Sequence, residues 1–119
     1  MKNINKFTIE LGSTLGEAIT KIKLNRVRTV LVVQESKLIG VLSEGDLLKA
    51  FINGANTKNL INQFINIEFS YLEEKNIKIA SEVVSKNNIN LLPVVNSEME
   101  LQEVITIYDV FDEYLNFDL

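Results

Sequence analysis

The sequence contains neither cysteine nor histidine, and it has a single proline. Without cysteine there is no disulfide framework and no thiol chemistry. Without histidine the chain lacks the usual metal ligand and the usual general base near neutral pH. These absences disfavour a metal centre or an acid–base enzyme, and the lack of cysteine suits a reducing cytoplasm, where we expect the protein to reside.

Long apolar runs and concentrated positive charge are also missing. The longest apolar stretches, such as residues 30–33, are far shorter than the roughly 18 residues of a membrane span, and the chain opens without a secretory signal pattern. The net charge is -4, and the lysines and arginines are scattered. We therefore predict neither a nucleic acid nor a membrane as a partner.

A seven-residue motif occurs in two similar copies, GVLSEGD at residues 40–46 and EVITIYD at residues 103–109. In each copy a hydroxyl residue precedes an aspartate by three positions, after a strand-like run and before a helix-like one. Residues 7–8 and 32–33 also have counterparts 62 positions later. The two copies of the motif are 63 positions apart, which places one extra residue in the second hairpin, near Met99. The chain is therefore an internal duplication.

Each copy has the pattern of strand, helix, strand, strand, helix. In the first copy, Thr14 and Glu17 have capping-box spacing at the start of a helix. The predicted elements of this copy are strands at 7–9, 28–34 and 37–43, and helices ending near Asn25 and spanning 44–52. Those of the second copy are strands at 69–71, 91–96 and 100–106, and helices at 76–86 and 107–116. Between the copies the chain breaks at Gly54, and Thr57 is expected to cap a short helix through Phe64.

This order predicts an α+β fold in which two β-α-β-β-α repeats share one core with pseudo-two-fold symmetry. Because 46% of the 119 residues are hydrophobic, such a core can be filled, whereas a half of about 60 residues would be marginal alone. We assign residues 1–56 to the first repeat and residues 57–119 to the joining helix and the second repeat. In the last helix we expect four apolar residues to face the core, with partner contact as the alternative: Val110, Phe111, Tyr114 and Leu115.

Ser43 and Asp46 are candidates for a binding site at the start of the second helix. A hydroxyl and the unpaired N–H groups of a first helical turn can bind phosphate. A carboxylate only accepts hydrogen bonds, so it suits the paired hydroxyls of a ribose. Thr106 and Asp109 repeat the pair in the second copy. The same spacing is typical of an ordinary helix cap, and the sequence leaves both interpretations open.

Other candidates follow from the remaining parts of a nucleotide. Main-chain groups at two strand starts could read an adenine edge, and an aromatic ring could stack on the base. The residues concerned are Val30, Leu31, Leu92, Pro93 and, for stacking, Tyr71. For Tyr71 and Pro93, core packing is the alternative.

Phosphate needs cations, and the two copies differ in this respect. Arg26 and Arg28 correspond to Asn88 and Asn90 at the same offset, and Lys49 adds a cation in the second helix. Solvated surface charges are the alternative interpretation.

Gly40 in the first copy is replaced by Glu103 in the second. Glycine permits a close backbone approach that a side chain would block. On these grounds we expect the first cleft to bind a nucleotide better than the second.

On the basis of these residues, the chain resembles a tandem pair of cystathionine β-synthase (CBS) domains, an arrangement called a Bateman module. The resemblance rests on residues 32–33 followed by 40–46, and on residues 92–95 followed by 104–109. It implies a regulatory module that binds AMP, ADP or ATP, or sometimes S-adenosylmethionine, with no required cofactor. It also implies a homodimer that signals to an attached or partner enzyme.

The resemblance also implies roles for individual residues. Ser43 and Thr106 would meet phosphate or ribose, and Asp46 and Asp109 would hold ribose hydroxyls. The cleft edges would be lined by Thr8 and Ser70.

A narrower likeness concerns residues 43–50, 61–64 and 91–95, which are similar to the CBS pair preceding sugar-phosphate nucleotidyltransferase domains. An enzyme of that kind is the expected target of regulation. The segment itself shows no catalytic domain of that kind, and we predict it to be non-catalytic. The alternative function is a structural or dimerisation module whose clefts stay vacant.

Overall fold

The computed structural model describes residues 3–117, and its elements follow the duplicated pattern. The first repeat contains β1 (Thr8–Glu10), α1 (Leu15–Asn25), β2 (Thr29–Gln34), β3 (Lys37–Ser43) and α2 (Glu44–Ile52). The second contains α3 (Ile77–Asn87), β4 (Leu91–Val95), β5 (Leu101–Thr106) and α4 (Ile107–Phe117). Short 3-10 helices occur at Ile4–Phe7 and Ile61–Gln63. The predicted α+β class is confirmed.

Two hairpins form the centre of the molecule. β2 pairs antiparallel with β3 and parallel with β1, and β4 pairs antiparallel with β5. Each hairpin has a bulge at the equivalent point, between Val32 and Val33 and between Val94 and Val95. The repeat is therefore preserved in strand register as well as in sequence.

The hairpin loops differ by the one residue that the offsets predict. Glu35 and Ser36 both have positive φ, 52° and 69°, as in two-residue hairpin turns. In the second hairpin the Asn96 N–H donates to the Glu100 carbonyl at 3.1 Å, and Met99 has a φ of 64°. A left-handed last residue is typical of three-residue hairpin loops. The insertion near Met99 thus lies in a loop, where it costs little.

The strand predicted at residues 69–71 is not formed. The chain there makes one parallel bridge, from Leu72 to Val94. Phe69 packs against the core between the sheets, and the ring of Tyr71 lies 5.9 Å from the ring of Phe69. In this segment Leu72 makes the hydrogen bonds to β4, with the Pro93 carbonyl and the Val95 N–H at 3.0 and 2.8 Å, which is one bridge and not a ladder. The second sheet therefore has two strands among the described residues.

The helix predicted at residues 57–64 is also wrong. Only Ile61–Gln63 is helical, as a single 3-10 turn, and Thr57 does not cap it. Instead the carbonyls of Thr57 and Asn59 accept hydrogen bonds from the first two N–H groups of α1, at 3.0 and 2.8 Å. Those N–H groups have no partner inside their own helix. Tertiary pairing with α1 thus replaces local helix formation.

Three apolar clusters make up the core. The outer two lie where α1 and α2 cover the first sheet and where α3 and α4 cover the second. The middle cluster, which we call the inter-sheet core, draws on both repeats: Phe7, Val27, Leu31, Val33, Leu38, Leu91, Val95 and Val104. The prediction that the repeats share a core is confirmed.

The outer face of α4 differs from expectation. Of the four apolar residues predicted to face the core, Val110 is buried. Phe111, Tyr114 and Leu115 are 52%, 59% and 64% exposed. The interpretation as core is wrong for these three, and the alternative of a partner contact remains.

Gly40 lies where the joining segment crosses β3. Val41 and Asn66 form an antiparallel bridge there, with N–O distances of 2.9 and 2.8 Å. A Cβ atom on Gly40 would lie 3.0 Å from the Asn66 carbonyl oxygen and 3.2 Å from the Ile65 side chain. The close approach expected at Gly40 is therefore made by the chain's own backbone.

Replacing this glycine tests the contact. Gly40→Ala should lower the free energy of unfolding by about 1–3 kcal/mol, the usual cost of overpacking. In Gly45→Ala, the matched change, the added Cβ would meet only Ser43 Oγ at 3.7 Å. This helical substitution should be neutral or stabilising by up to about 1 kcal/mol. Urea unfolding measures both, and equal effects would contradict the assignment.

Candidate ligand-binding cleft

Ser43 and Asp46 form a capping box at the start of α2. The Asp46 N–H donates to Ser43 Oγ at 3.2 Å, while Asp46 Oδ2 accepts from the Ser43 N–H and hydroxyl, each at 2.9 Å. In the second repeat the Thr106 N–H donates to Asp109 Oδ2 at 2.8 Å, and the Asp109 N–H donates to Thr106 Oγ1 at 3.1 Å. The interpretation of the repeated motif as a helix cap is confirmed in both copies.

Capping occupies only part of Asp46. Its hydrogen bonds within residues 3–117 use Oδ2, and the partly buried side chain lines a cavity of about 650 Å³. Such a volume is in the range of small-molecule sites. The cap fixes the orientation of the carboxylate and leaves Oδ1 available to a ligand. Capping and binding are therefore compatible at this residue.

Both repeats contribute to this cavity, which we call the first cleft. The first repeat supplies Arg28, Thr29, Val41 and residues 43–46. The second supplies Asn66, residues 68–70 and residues 87–91. The site predicted from one repeat thus has a second wall from the other.

The structure brings together four of the predicted site residues. Arg28, Ser43, Asp46 and Ser70 all line the first cleft. The Ser70 hydroxyl accepts a hydrogen bond from Asn87 Nδ2 at 3.2 Å, so two residues of the second-repeat wall fix each other.

The remaining predicted side chains lie elsewhere. Thr8 lines a different cavity of about 780 Å³ beside α1. Lys49 is exposed on α2, and Tyr71 is 42% exposed. Thr106 and Asp109 line neither of these two cavities. Lys49 and Tyr71 do not line the first cleft, so their predicted contacts with phosphate and base have no geometric support there.

The first residues of β2 and β4, Thr29 and Leu91, line the first cleft. The four residues predicted to read an adenine follow directly in the same strands and are buried in the sheets: Val30, Leu31, Leu92 and Pro93. Leu31 is in register with partners on both sides of β2, and the Pro93 carbonyl accepts a hydrogen bond from the Leu72 N–H at 3.0 Å. These main-chain groups serve the sheets, and adenine recognition by them stays a prediction.

Several cleft residues were missed from the sequence. Asn88 and Asn90 are the second-copy counterparts of two arginines and were expected at the weaker cleft. They lie instead in the wall of the first cleft. Phe69, Glu68 and Asn66 were not predicted at all. The asparagine-rich run at residues 87–90 is the sequence feature that could have indicated this polar wall. Its proximity to α2, however, depends on how the repeats pack.

Arg28 is held at the cleft by its own loop. It has a φ of 67°, its Nε donates to Glu44 Oε1 at 2.8 Å, and its carbonyl accepts from the Glu44 N–H at 3.0 Å. The two side chains are 68% and 49% exposed. Exposed ion pairs contribute about 0–1 kcal/mol, so the pair with Glu44 orients Arg28 without contributing much to stability.

Glu103 pairs with Lys75 in the second repeat, with Nζ and Oε1 2.8 Å apart. The hydrogen bond to Glu103 and the charge of its carboxylate raise the pKa of Lys75; burial opposes this increase, and the charge of Asp109 makes the smallest contribution to it. Glu103 therefore meets a cation of its own repeat, and the same cation acts on Asp109.

Substituting Glu103 tests this pair. In Glu103→Gln the pKa of Lys75 should fall, since the carboxylate charge is removed and the hydrogen bond is weakened to one with a neutral amide oxygen, whereas Glu98→Gln in the hairpin loop should leave it unchanged. A pH titration of the lysine side-chain NMR signals measures it. Because the folded pKa is raised, the pair stabilises the fold fully below the ordinary lysine value of about 10.4 and loses this effect as pH rises through the raised value. An unaltered pKa in Glu103→Gln would refute the pairing.

Among the described residues, no helix is both long and apolar enough to cross a membrane. The fold and the cleft together define a class: a duplicated α+β module with a cleft walled by both of its repeats. Comparison with known proteins narrows this class.

Residues 2–53 match the family model of the CBS domain. Inosine-5′-monophosphate dehydrogenase of Aquifex aeolicus is 30% identical over 110 residues, which are 90% of this chain and 22% of the enzyme. The chain thus spans about a fifth of that relative.

Two solved structures share the fold. A CBS domain pair/ACT domain protein from Thermotoga maritima is 21% identical with a TM-score of 0.76, and the match covers 98% of each chain. The cytosolic domain of the Mg²⁺ channel MgtE in complex with ATP is 23% identical with a TM-score of 0.70, covering 89% of this chain and 44% of the other. Residues 2–53 thus match a CBS domain, and the described chain has the fold of a CBS domain pair.

Proposed function

We propose that this CBS pair is a regulatory module that binds an adenosine nucleotide, AMP, ADP or ATP, in the first cleft. The observation that carries the proposal is the Asp46 carboxylate, which is fixed by the cap through Oδ2 while it lines a cavity of about 650 Å³. The ATP complex of the MgtE cytosolic domain, which shares the fold, supports a nucleotide as the ligand class.

The walls of the cleft suit the parts of such a ligand. Asp46 would accept hydrogen bonds from the ribose hydroxyls, and Arg28 would meet phosphate. Phe69 supplies an aromatic surface for the base. The amides of Asn88 and Asn90 offer both donors and acceptors, which is what an adenine edge requires. All five residues line the cleft.

We further propose that the bound nucleotide controls an attached or partner enzyme in the cytoplasm, and that the module itself is non-catalytic. The likeness to a segment of inosine-5′-monophosphate dehydrogenase supports an enzyme as the target. The narrower resemblance in the sequence makes a sugar-phosphate nucleotidyltransferase our specific candidate.

The two caps provide a matched test of this function. Asp46→Asn and Asp109→Asn each weaken one capping box, so each should cost a similar stability of about 1 kcal/mol. Only Asp46→Asn should weaken nucleotide binding, by at least tenfold, because only Asp46 lines the first cleft. Calorimetric titration with AMP, ADP and ATP measures binding, and thermal unfolding measures stability. Equal loss of affinity in both variants would point to general destabilisation and contradict the site.

A second candidate function, a dimerisation module, is favoured by a separate observation. Apolar side chains at helical spacing are exposed on α2 and α4: Leu48, Ile52, Tyr108, Phe111 and Leu115, each 52–74% exposed. Exposed apolar side chains that share a helix face are typical of interaction sites. We propose a homodimer through these helices, which is compatible with nucleotide binding and would be the whole function if the clefts stay vacant.

A homodimer through these helices should dissociate when carboxylates replace its apolar side chains. Light scattering should give twice the chain mass of 13.5 kDa, and Phe111→Glu with Leu115→Glu should reduce it to that of one chain, because two buried carboxylates would oppose association. Leu24→Glu is the control, since Leu24 is 68% exposed on α1, which is not one of the two helices of the proposed face. A single-chain mass for the unaltered protein would exclude the homodimer.

A further inference from the structure

The charges around the first cleft are unbalanced. Among the residues that line it, three are acidic, Glu44, Asp46 and Glu68, and one is basic, Arg28. Lys49, the other cation considered for this cleft, does not line it. A ligand that enters the cleft therefore meets a net negative field, which opposes each phosphate charge that it brings.

The one cation has a limited capacity. Arg28 donates through Nε to Glu44, and its two Nη groups make no hydrogen bond within residues 3–117. A guanidinium binds phosphate oxygens through paired N–H groups. Arg28 can thus serve one phosphate group while it remains paired with Glu44. Further phosphate groups would have no cation in the cleft and would face its carboxylates.

We infer that the first cleft selects an adenosine ligand with a single phosphate group over the triphosphate, and that Arg28 and Glu68 set this selection. The inference rests on the proposed function and assigns the charge class of its ligand. Arg28 makes the monophosphate bind more tightly than the uncharged nucleoside. Glu68, with Glu44 and Asp46, makes the triphosphate bind less tightly than the monophosphate.

The size of the effect follows from Coulomb's law. ATP carries about two more negative charges than AMP at pH 7. For charges about 9 Å apart in a solvated cleft at low ionic strength, removal of one carboxylate should shift the ATP-to-AMP affinity ratio by about threefold. At an ionic strength of about 0.15 M the shift should largely disappear, because the Debye length is then about 8 Å.

The test is a calorimetric titration of adenosine, AMP and ATP into the whole chain, without divalent cations and at low ionic strength. AMP should bind most tightly. Glu68→Gln should raise the ATP-to-AMP affinity ratio by about threefold, and Glu113→Gln, an equal charge change on the exposed face of α4, should leave it unchanged. Arg28→Gln should bring the affinity for AMP down to that for adenosine or below it, because the remaining carboxylates repel the phosphate. Thermal unfolding checks that each variant is folded.

The outcomes separate this inference from the function on which it rests. ATP binding more tightly than AMP, or the same ATP-to-AMP ratio in Glu68→Gln and Glu113→Gln, would overturn the charge selection while nucleotide binding stands. AMP retaining its advantage over adenosine in Arg28→Gln would remove Arg28 from the selection. If none of the three compounds binds to the folded protein, the proposed function fails and the selection fails with it.

Discussion

Burial of the inter-sheet core is the constraint on which the rest of this structure depends. Four consecutive residues of β2 and all five of β4 are buried. Because successive side chains of a strand point to opposite faces, these strands are apolar on both faces. The helices of each repeat cover one face only. The other face is buried only when the second repeat packs against it, so neither repeat has a complete core alone.

This packing also decides the composition of the first cleft. The hairpins meet at their loops through a bridge from Lys37 to Glu100, and the joining segment pairs with β3 at Asn66. The start of α2 is thereby placed beside residues 68–70 and 87–91 of the other repeat. A single repeat would carry the capped helix terminus but not the wall opposite to it. The duplication therefore does more than provide two copies of one site.

The sequence predicted what depends on local chemistry. Capping boxes, strand periodicity and turn residues are short-range features, and α1, β3 and α2 were located from them to within a residue or two. Errors arose where long-range contacts decided the conformation, as at Thr57, whose carbonyl serves α1, and at Phe69, which packs in the inter-sheet core. The same limit applies to the site. Ser43 and Asp46 were visible as a motif, whereas Glu68 and Asn88 belong to the cleft only because the sheets pack face to face.

The two copies of the motif differ more in their electrostatics than in their backbones. Both aspartates accept a hydrogen bond from a cap N–H, at 2.9 and 2.8 Å. Around Asp109 the second repeat places Lys75, whose pKa responds to that carboxylate. Around Asp46 the described residues of the cleft add two further carboxylates and one cation, Arg28, which is paired with Glu44. A carboxylate that is shared with no cation of the described residues can better accept hydrogen bonds from the hydroxyls of a ligand. We therefore propose that the first copy is the better site and that the extent of ligand phosphorylation is its main discriminant.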